Sequence, residues 1–194
     1  MKILVTGGAG FVGTNLIKRL VTEGHQITSI DNYSTGLRTN HIDGVRYLNE
    51  DISFCYRDWA VLDNFEIVYH LAAIARIQPS FKDPINYFKT NANGTMYIAE
   101  FCVRNNIPLV YAGSSSHHSG KFKNPYTFSK DVGEEIIQLY QEHFNLKSSI
   151  DSALVMVGHR LRSRRFNFSY DASCFINGDI KKLSHICILN QIDI

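Results

Sequence analysis

Tyr126 and Lys130 stand four residues apart, a spacing that sets two side chains on one face of a helix about a turn apart. A phenol ordinarily ionises near pH ~10, but a neighbouring ammonium favours the phenolate. Such a pair suits removal of a proton from an alcohol. Ser114, twelve residues before Tyr126, offers a hydroxyl that could orient that alcohol. A half-buried tyrosine and a solvated lysine also meet at this spacing by chance, so the surrounding sequence must decide.

A second constellation lies at the start. Gly7-Gly8-Ala9-Gly10-Phe11-Val12-Gly13 follows the apolar run Lys2-Ile3-Leu4-Val5-Thr6 and precedes Thr14 to Val21, whose apolar residues recur at helical spacing. Glycines let a backbone turn tightly and approach a ligand, and the free amides at a helix start attract a pyrophosphate. A further apolar run, Gln26 to Ile30, delivers Asp31 eighteen residues past Gly13. A carboxylate there can accept hydrogen bonds from both ribose hydroxyls and would repel a 2′-phosphate, so NAD is favoured over NADP.

The elements that must position these groups alternate as strand and helix up to about Ile150, which implies a parallel sheet with right-handed crossovers. After the first two strands comes a polar loop, Asn32 to Gly44. A third strand is expected over Val45–Leu48 and a fourth over Glu66–Ala73, its small final residues leaving room for a cofactor. A long helix is expected from about Asp83 to Asn106, a fifth strand over Pro108–Ala112, and a second long helix over Pro125–Phe144. Ligands of such sheets bind beyond the carboxyl ends of the strands, where every polar motif named above falls.

The bulk properties fit a globular protein: 44% hydrophobic and 20% charged residues over 194 positions, enough for one domain with a real core. No apolar run reaches the ~18 residues of a membrane span, and no secretory cleavage pattern follows the first strand. Cys55, Cys102, Cys174 and Cys187 lie far apart, without metal-type spacing, as expected of free thiols in a reducing cytoplasm. His117-His118 lacks further ligands and reads as loop, so no metal is expected.

Taken together, Thr6 to Gly13, Asp31-Asn32-Tyr33-Ser34, Asp51-Ile52, His70-Leu71-Ala72-Ala73, Asn91-Ala92-Asn93-Gly94-Thr95, Ser114-Ser115-Ser116 and Tyr126-Thr127-Phe128-Ser129-Lys130 resemble the extended short-chain dehydrogenase/reductases, in their NAD-dependent epimerase/dehydratase branch. The likeness is strongest to the UDP-sugar 4-epimerases. It implies an α/β fold, a Rossmann-type doubly wound parallel sheet, over residues 1–150. It implies NAD lined by Gly7, Gly10, Phe11, Val12, Asp31, Asn32, Asp51, Ile52, Leu71, Ala72, Ala73 and Asn91, with Tyr126 and Lys130 also at the cofactor.

The implied catalytic residues are Ser114, Tyr126 and Lys130, and the implied chemistry is transient oxidation at carbon 4 of a nucleotide sugar, most simply a UDP-sugar. The related dehydratases carry an Asp-Glu pair where Ser115 and Ser116 stand, which favours epimerase over dehydratase. The resemblance further implies a homodimer joined through the two long helices; from cysteine usage, charge and hydropathy a cytoplasmic protein with no nucleic-acid or membrane partner is expected.

Two features depart from the pattern. The segment between Ser114 and Tyr126 is short, and beyond Ile150 the familiar motifs fade. An ungapped alignment puts Ser152 and Val155 where an arginine and an asparagine belong, and only Gly158-His159-Arg160 keeps something of the expected turn. The arginine cluster Arg160 to Arg165 reads as a solvated run. Residues 151–194 are thus expected to be an atypical tail, truncated or shifted in frame, with the substrate domain largely missing. A non-catalytic NAD-binding fragment or sensor on the same fold stays open beside the epimerase, as does a dehydratase. Apolar surface left uncovered by the missing half would make the chain poorly soluble.

Overall fold

The computed structural model describes residues 1–54, 64–114 and 120–151. Six parallel strands form, and the four central ones are short apolar runs buried on both faces, as runs between helices should be. In chain order the six are β1 (Lys2–Thr6), β2 (Gln26–Ile30), β3 (Arg46–Leu48), β4 (Ile67–His70), β5 (Leu109–Ala112) and β6 (Ser148–Asp151). They form one sheet in the order β3-β2-β1-β4-β5-β6, and every neighbouring pair is parallel. The strand order reverses between β1 and β4, and doubly wound folds open their ligand crevice at such a reversal. The α/β doubly wound architecture expected from the sequence is the one observed.

Helices cover the two faces. On one, α1 (Phe11–Thr22) presses Leu16, Ile17 and Leu20 against Ile3, Val5, Tyr69 and Val110. On the other, α4 (Gly94–Asn105) and α5 (Pro125–Phe144) supply Ile98, Phe101, Cys102 and Ile137 to a cluster with Leu4, Val68 and Leu109. Each such aliphatic side chain taken from water contributes about 1.5–3 kcal/mol. Among the described residues no helix is long and apolar enough to cross a membrane.

The helix expected from Asp83 is present but divided. Asp83 caps α3 (Pro84–Phe88), its carboxylate accepting from the Asn86 amide at 3.2 Å with proline in the first turn. A π-helical turn, Lys89–Asn93, then leads into α4, which ends on Asn106 in the left-handed region at φ 52°. Such widened turns gather at functional positions. Three elements escaped the sequence reading: the short α2 (Ile77–Ser80), a 3-10 turn at Arg38–Asn40, and β6. The fourth strand stops at His70, and Leu71 to Ala73 continue as loop. The tail from residue 152 and the histidines at 117 and 118 lie outside the described residues.

Candidate cofactor and proton-transfer site

At the strand-order reversal the glycine turn follows β1 directly. Gly7 has φ +73°, and a Cβ there would come within 2.8 Å of the backbone N and Cα of Ala72. Only glycine lets the two loops meet so closely. Gly10 precedes α1 in extended conformation, with no side-chain cap and no acidic residue in the first turn. The positive end of the helix therefore faces the crevice uncompensated, which suits a pyrophosphate. Phe11 is half exposed beside it, and Leu71, Ala72 and Ala73 are partly buried across the crevice.

At the end of β2, Asp31 is 8% exposed. One carboxylate oxygen accepts from the Ala9 amide at 2.9 Å and the other from the Tyr33 amide at 2.8 Å. Tyr33 adopts φ 56°, which turns its amide back toward the acid. Each oxygen keeps a second lone pair for a ribose hydroxyl. Asn32 reaches Asp51 at 3.1 Å, and Asp51 also accepts from the Ser53 amide at 2.8 Å. Burial works to raise the Asp51 carboxyl, but these hydrogen bonds and the charge of Lys89 outweigh it and hold the group below its usual range. Ile52 points into the core, where it packs against Gly94.

The residues expected to move a proton lie on the other side of the reversal, on α5 and at the end of β5. Asn124 caps α5, accepting from the Thr127 amide at 2.8 Å, with Pro125 in the first turn. That start places Tyr126, Lys130 and Glu134 on one stripe of the helix. Tyr126 is half-buried, its ring edge-on to Tyr87. Lys130 is 4% exposed and donates to the Tyr111 hydroxyl at 2.7 Å and the Ala112 carbonyl at 2.8 Å. Burial lowers its ammonium to about 8, the charges of Tyr126 and Glu134 working against that fall. Ser114, two residues past Ala112, is buried, and its amide donates to the Glu134 carboxylate at 2.8 Å. One helix thus carries the tyrosine and the lysine and also pins the serine's backbone.

Asn91 sits at the centre of the π turn and is buried. Its amide accepts from Ile74 N at 2.8 Å and donates to Ile74 O and Ser129 Oγ, both at 3.0 Å. It fastens the loop after β4 to α5. Sequence reasoning gave no role to Thr6, His70, Thr95, Tyr111 or Glu134. The usable signal was their position: Thr6, His70 and Tyr111 face one another across β1, β4 and β5 in register, three polar groups near the ends of apolar strands. No group of three or more potential metal ligands occurs among the described residues.

A glycine cradle at a strand-order reversal, with a buried carboxylate at the end of β2, defines a dinucleotide-binding α/β protein. The family model for the NAD dependent epimerase/dehydratase family matches residues 3–177, past the boundary expected near residue 150. The chain belongs to that family, and its cofactor is NAD.

Two UDP-glucose 4-epimerase structures superpose closely. One, from Thermotoga maritima with UDP-glucose, is 25% identical with a TM-score of 0.73. The other, from Thermus thermophilus in complex with NAD, is 27% identical with a TM-score of 0.67. Each alignment covers 78% of this chain and 54% of the other. A UDP-N-acetyl-alpha-D-glucosaminuronate decarboxylase of Bacillus cytotoxicus is 28% identical over 133 residues, covering 67% of this chain and 41% of the relative. The chain spans about half the length of the curated relatives it matches.

Proposed function

We propose that the chain carries the NAD-binding and proton-transfer half of a nucleotide-sugar 4-epimerase acting on a UDP-sugar. The observation that carries this reading is the buried ammonium of Lys130, held at the end of β5 two residues before Ser114 and on one helical stripe with Tyr126. NAD, when bound, supplies reversible hydride acceptance at carbon 4 of the sugar. The glycine turn and the uncapped start of α1 hold its pyrophosphate, and Asp31 holds the adenosine ribose. Ser114 orients the sugar's 4-hydroxyl, and the Tyr126 oxygen takes the proton from it and later returns it. Lys130 stabilises negative charge on that oxygen and holds the nicotinamide ribose.

Several relatives carry out decarboxylation or dehydration on the same fold, and what favours epimerisation is the absence of acids after Ser114, where Ser115 and Ser116 stand. We place the enzyme in the cytoplasm, where a thiol such as the buried Cys102 stays reduced. A second copy of the chain would pair along α4 and α5, and sedimentation analysis tests that homodimer.

Calorimetric titration of NAD into the 194-residue chain, followed by UDP-glucose and UDP-N-acetylglucosamine, tests the whole reading. Sugar interconversion that disappears in Tyr126→Phe, with NAD affinity kept within about threefold, is the expected result. NAD binding with no conversion of either sugar would instead mark this chain as a cofactor-binding piece without the activity.

A further inference from the structure

Behind Lys130 a hydrogen-bonded chain crosses the sheet, and its donors and acceptors can be assigned one by one. Thr95 spends its own proton on the Asn91 carbonyl at 2.6 Å, so its Oγ1 accepts from His70 Nε2 at 3.0 Å. In the neutral ring Nδ1 is then the acceptor and takes the Thr6 hydroxyl proton at 2.7 Å, while the Ala72 amide donates to Thr6 Oγ1 at 3.2 Å. Tyr111 lies beside this row, its ring tilted against the His70 ring with centroids 5.5 Å apart. Its hydroxyl oxygen accepts from Lys130 Nζ at 2.7 Å.

This assignment needs a neutral imidazole. Burial pulls His70 down to about 3, helped by the charge of Lys130, so it is neutral throughout the physiological range. The helix opposite also makes room for the hydroxyl: a Cβ on Gly133 of α5 would come within 2.6 Å of Tyr111 Oη. A glycine inside a helix is unfavourable on its own account, and here its place is the one a side chain would need to displace the Tyr111 oxygen.

We infer that Tyr111 is a positioning residue: its hydroxyl, in the space that Gly133 leaves open, fixes the Lys130 ammonium at the end of β5. Two of the three ammonium protons are committed to Tyr111 and the Ala112 carbonyl, which leaves one for the site. The role of that last proton rests on the proposed pairing of Lys130 with Tyr126. The groups facing Lys130 are Tyr126 and Glu134 from its own helix, Tyr111 from β5 and His70 from β4, with Asp131 acting on Tyr111. Of these, Tyr111 is the one that contacts the ammonium as a neutral acceptor, so removing its oxygen withdraws support from the charged form without changing the site's formal charge.

The test is the titration of Lys130 in the full chain, followed by NMR of lysines labelled with carbon-13 at Cε and assigned with Lys130→Met. Tyr111→Phe is expected to lower the Lys130 midpoint by about one unit, the scale set by one hydrogen bond to a charged group. Gly133→Ala, whose Cβ would crowd the Tyr111 hydroxyl away from the ammonium, should lower it too. An unchanged midpoint in folded Tyr111→Phe overturns the inference. If that variant does not fold, Gly133→Ala decides: an unchanged midpoint overturns the inference, and a fall supports it. NAD titrated into the same samples separates the two claims. A wild-type chain that ignores NAD would sink the proposed function, and the Lys130 midpoints would still judge Tyr111.

Discussion

On the β1–β2 side of the strand-order reversal, the groups offered to a cofactor are mostly main chain: the glycine turn, the uncapped amides of α1, and a single carboxylate whose own oxygens are held by the amides of Ala9 and Tyr33. On the β4–β5 side they are side chains, with Lys130 bonded to Tyr111, Thr6, His70 and Thr95 linked in a buried row beside them, and Ser114 tied to Glu134. A main-chain site fails when a new atom enters it. A side-chain network fails when an atom is removed and its partners stay buried without a substitute. The two sides should therefore respond to opposite kinds of substitution.

The largest expected effect is on the first side. Gly7→Val adds bulk at φ +73° against the Ala72 backbone, and should cost about 2–4 kcal/mol of stability and abolish NAD binding by calorimetry. Gly24 has φ +82° with open space for 4 Å around the place a Cβ would take, so Gly24→Ala should cost only about 1 kcal/mol and leave NAD affinity intact. If both glycines behave alike, crowding is not what the cradle excludes.

The second side should show itself in acid. Unfolded His70 takes up a proton near 6.5, whereas folded His70 does so only at about 3. Between these values the unfolded state binds more protons, so stability is full above 6.5 and falls as pH drops toward 3. Urea melts across that window should show the loss in the wild type and a much shallower slope in His70→Gln. The variant should also start about 1–3 kcal/mol less stable at neutral pH, because a buried threonine loses a partner.

A smaller effect sharpens the contrast within the cofactor half. Asp31→Asn keeps the shape but loses the charge, and competition binding should show the preference for NAD over NADP falling by about tenfold, or ~1.4 kcal/mol. The smallest concerns the start of α5. Asn124→Ala removes the cap on the Thr127 amide and should cost about 1 kcal/mol in thermal unfolding with little change in NAD affinity.

The same contrast explains what could be read from the sequence. The strands, the two long helical stretches, the glycine turn and Asp31 are visible because each depends on neighbours within one strand–turn–helix unit. Tyr126 and Lys130 are visible because helical spacing is local. The partners of Lys130 are not, because the Tyr111 hydroxyl and the Ala112 carbonyl belong to β5 and meet it only once α5 has packed on the sheet. The bonds by which Asn91 ties Ile74 to Ser129 also join distant segments and left no local signal. The division of the long helix into α3, a π turn and α4 left no mark on the apolar periodicity. β6 was hidden by its composition: Ser148, Ser149 and Asp151 make three of its four residues polar, and its place comes from pairing with β5.

The crosswise row of Thr6, His70 and Tyr111 also constrains how the chain can fold. In a strand, a slip of one residue sends every side chain to the opposite face. A slip of β1, β4 or β5 would turn one of these polar groups toward α1, where Leu16, Ile17 and Leu20 offer no hydrogen bond. Apolar strands such as Ile-Leu-Val and Ile-Val-Tyr are otherwise nearly indifferent to such a shift. The row acts as a key that admits one alignment of three strands, so the polar atoms buried beside Lys130 also select the sheet in which they are found.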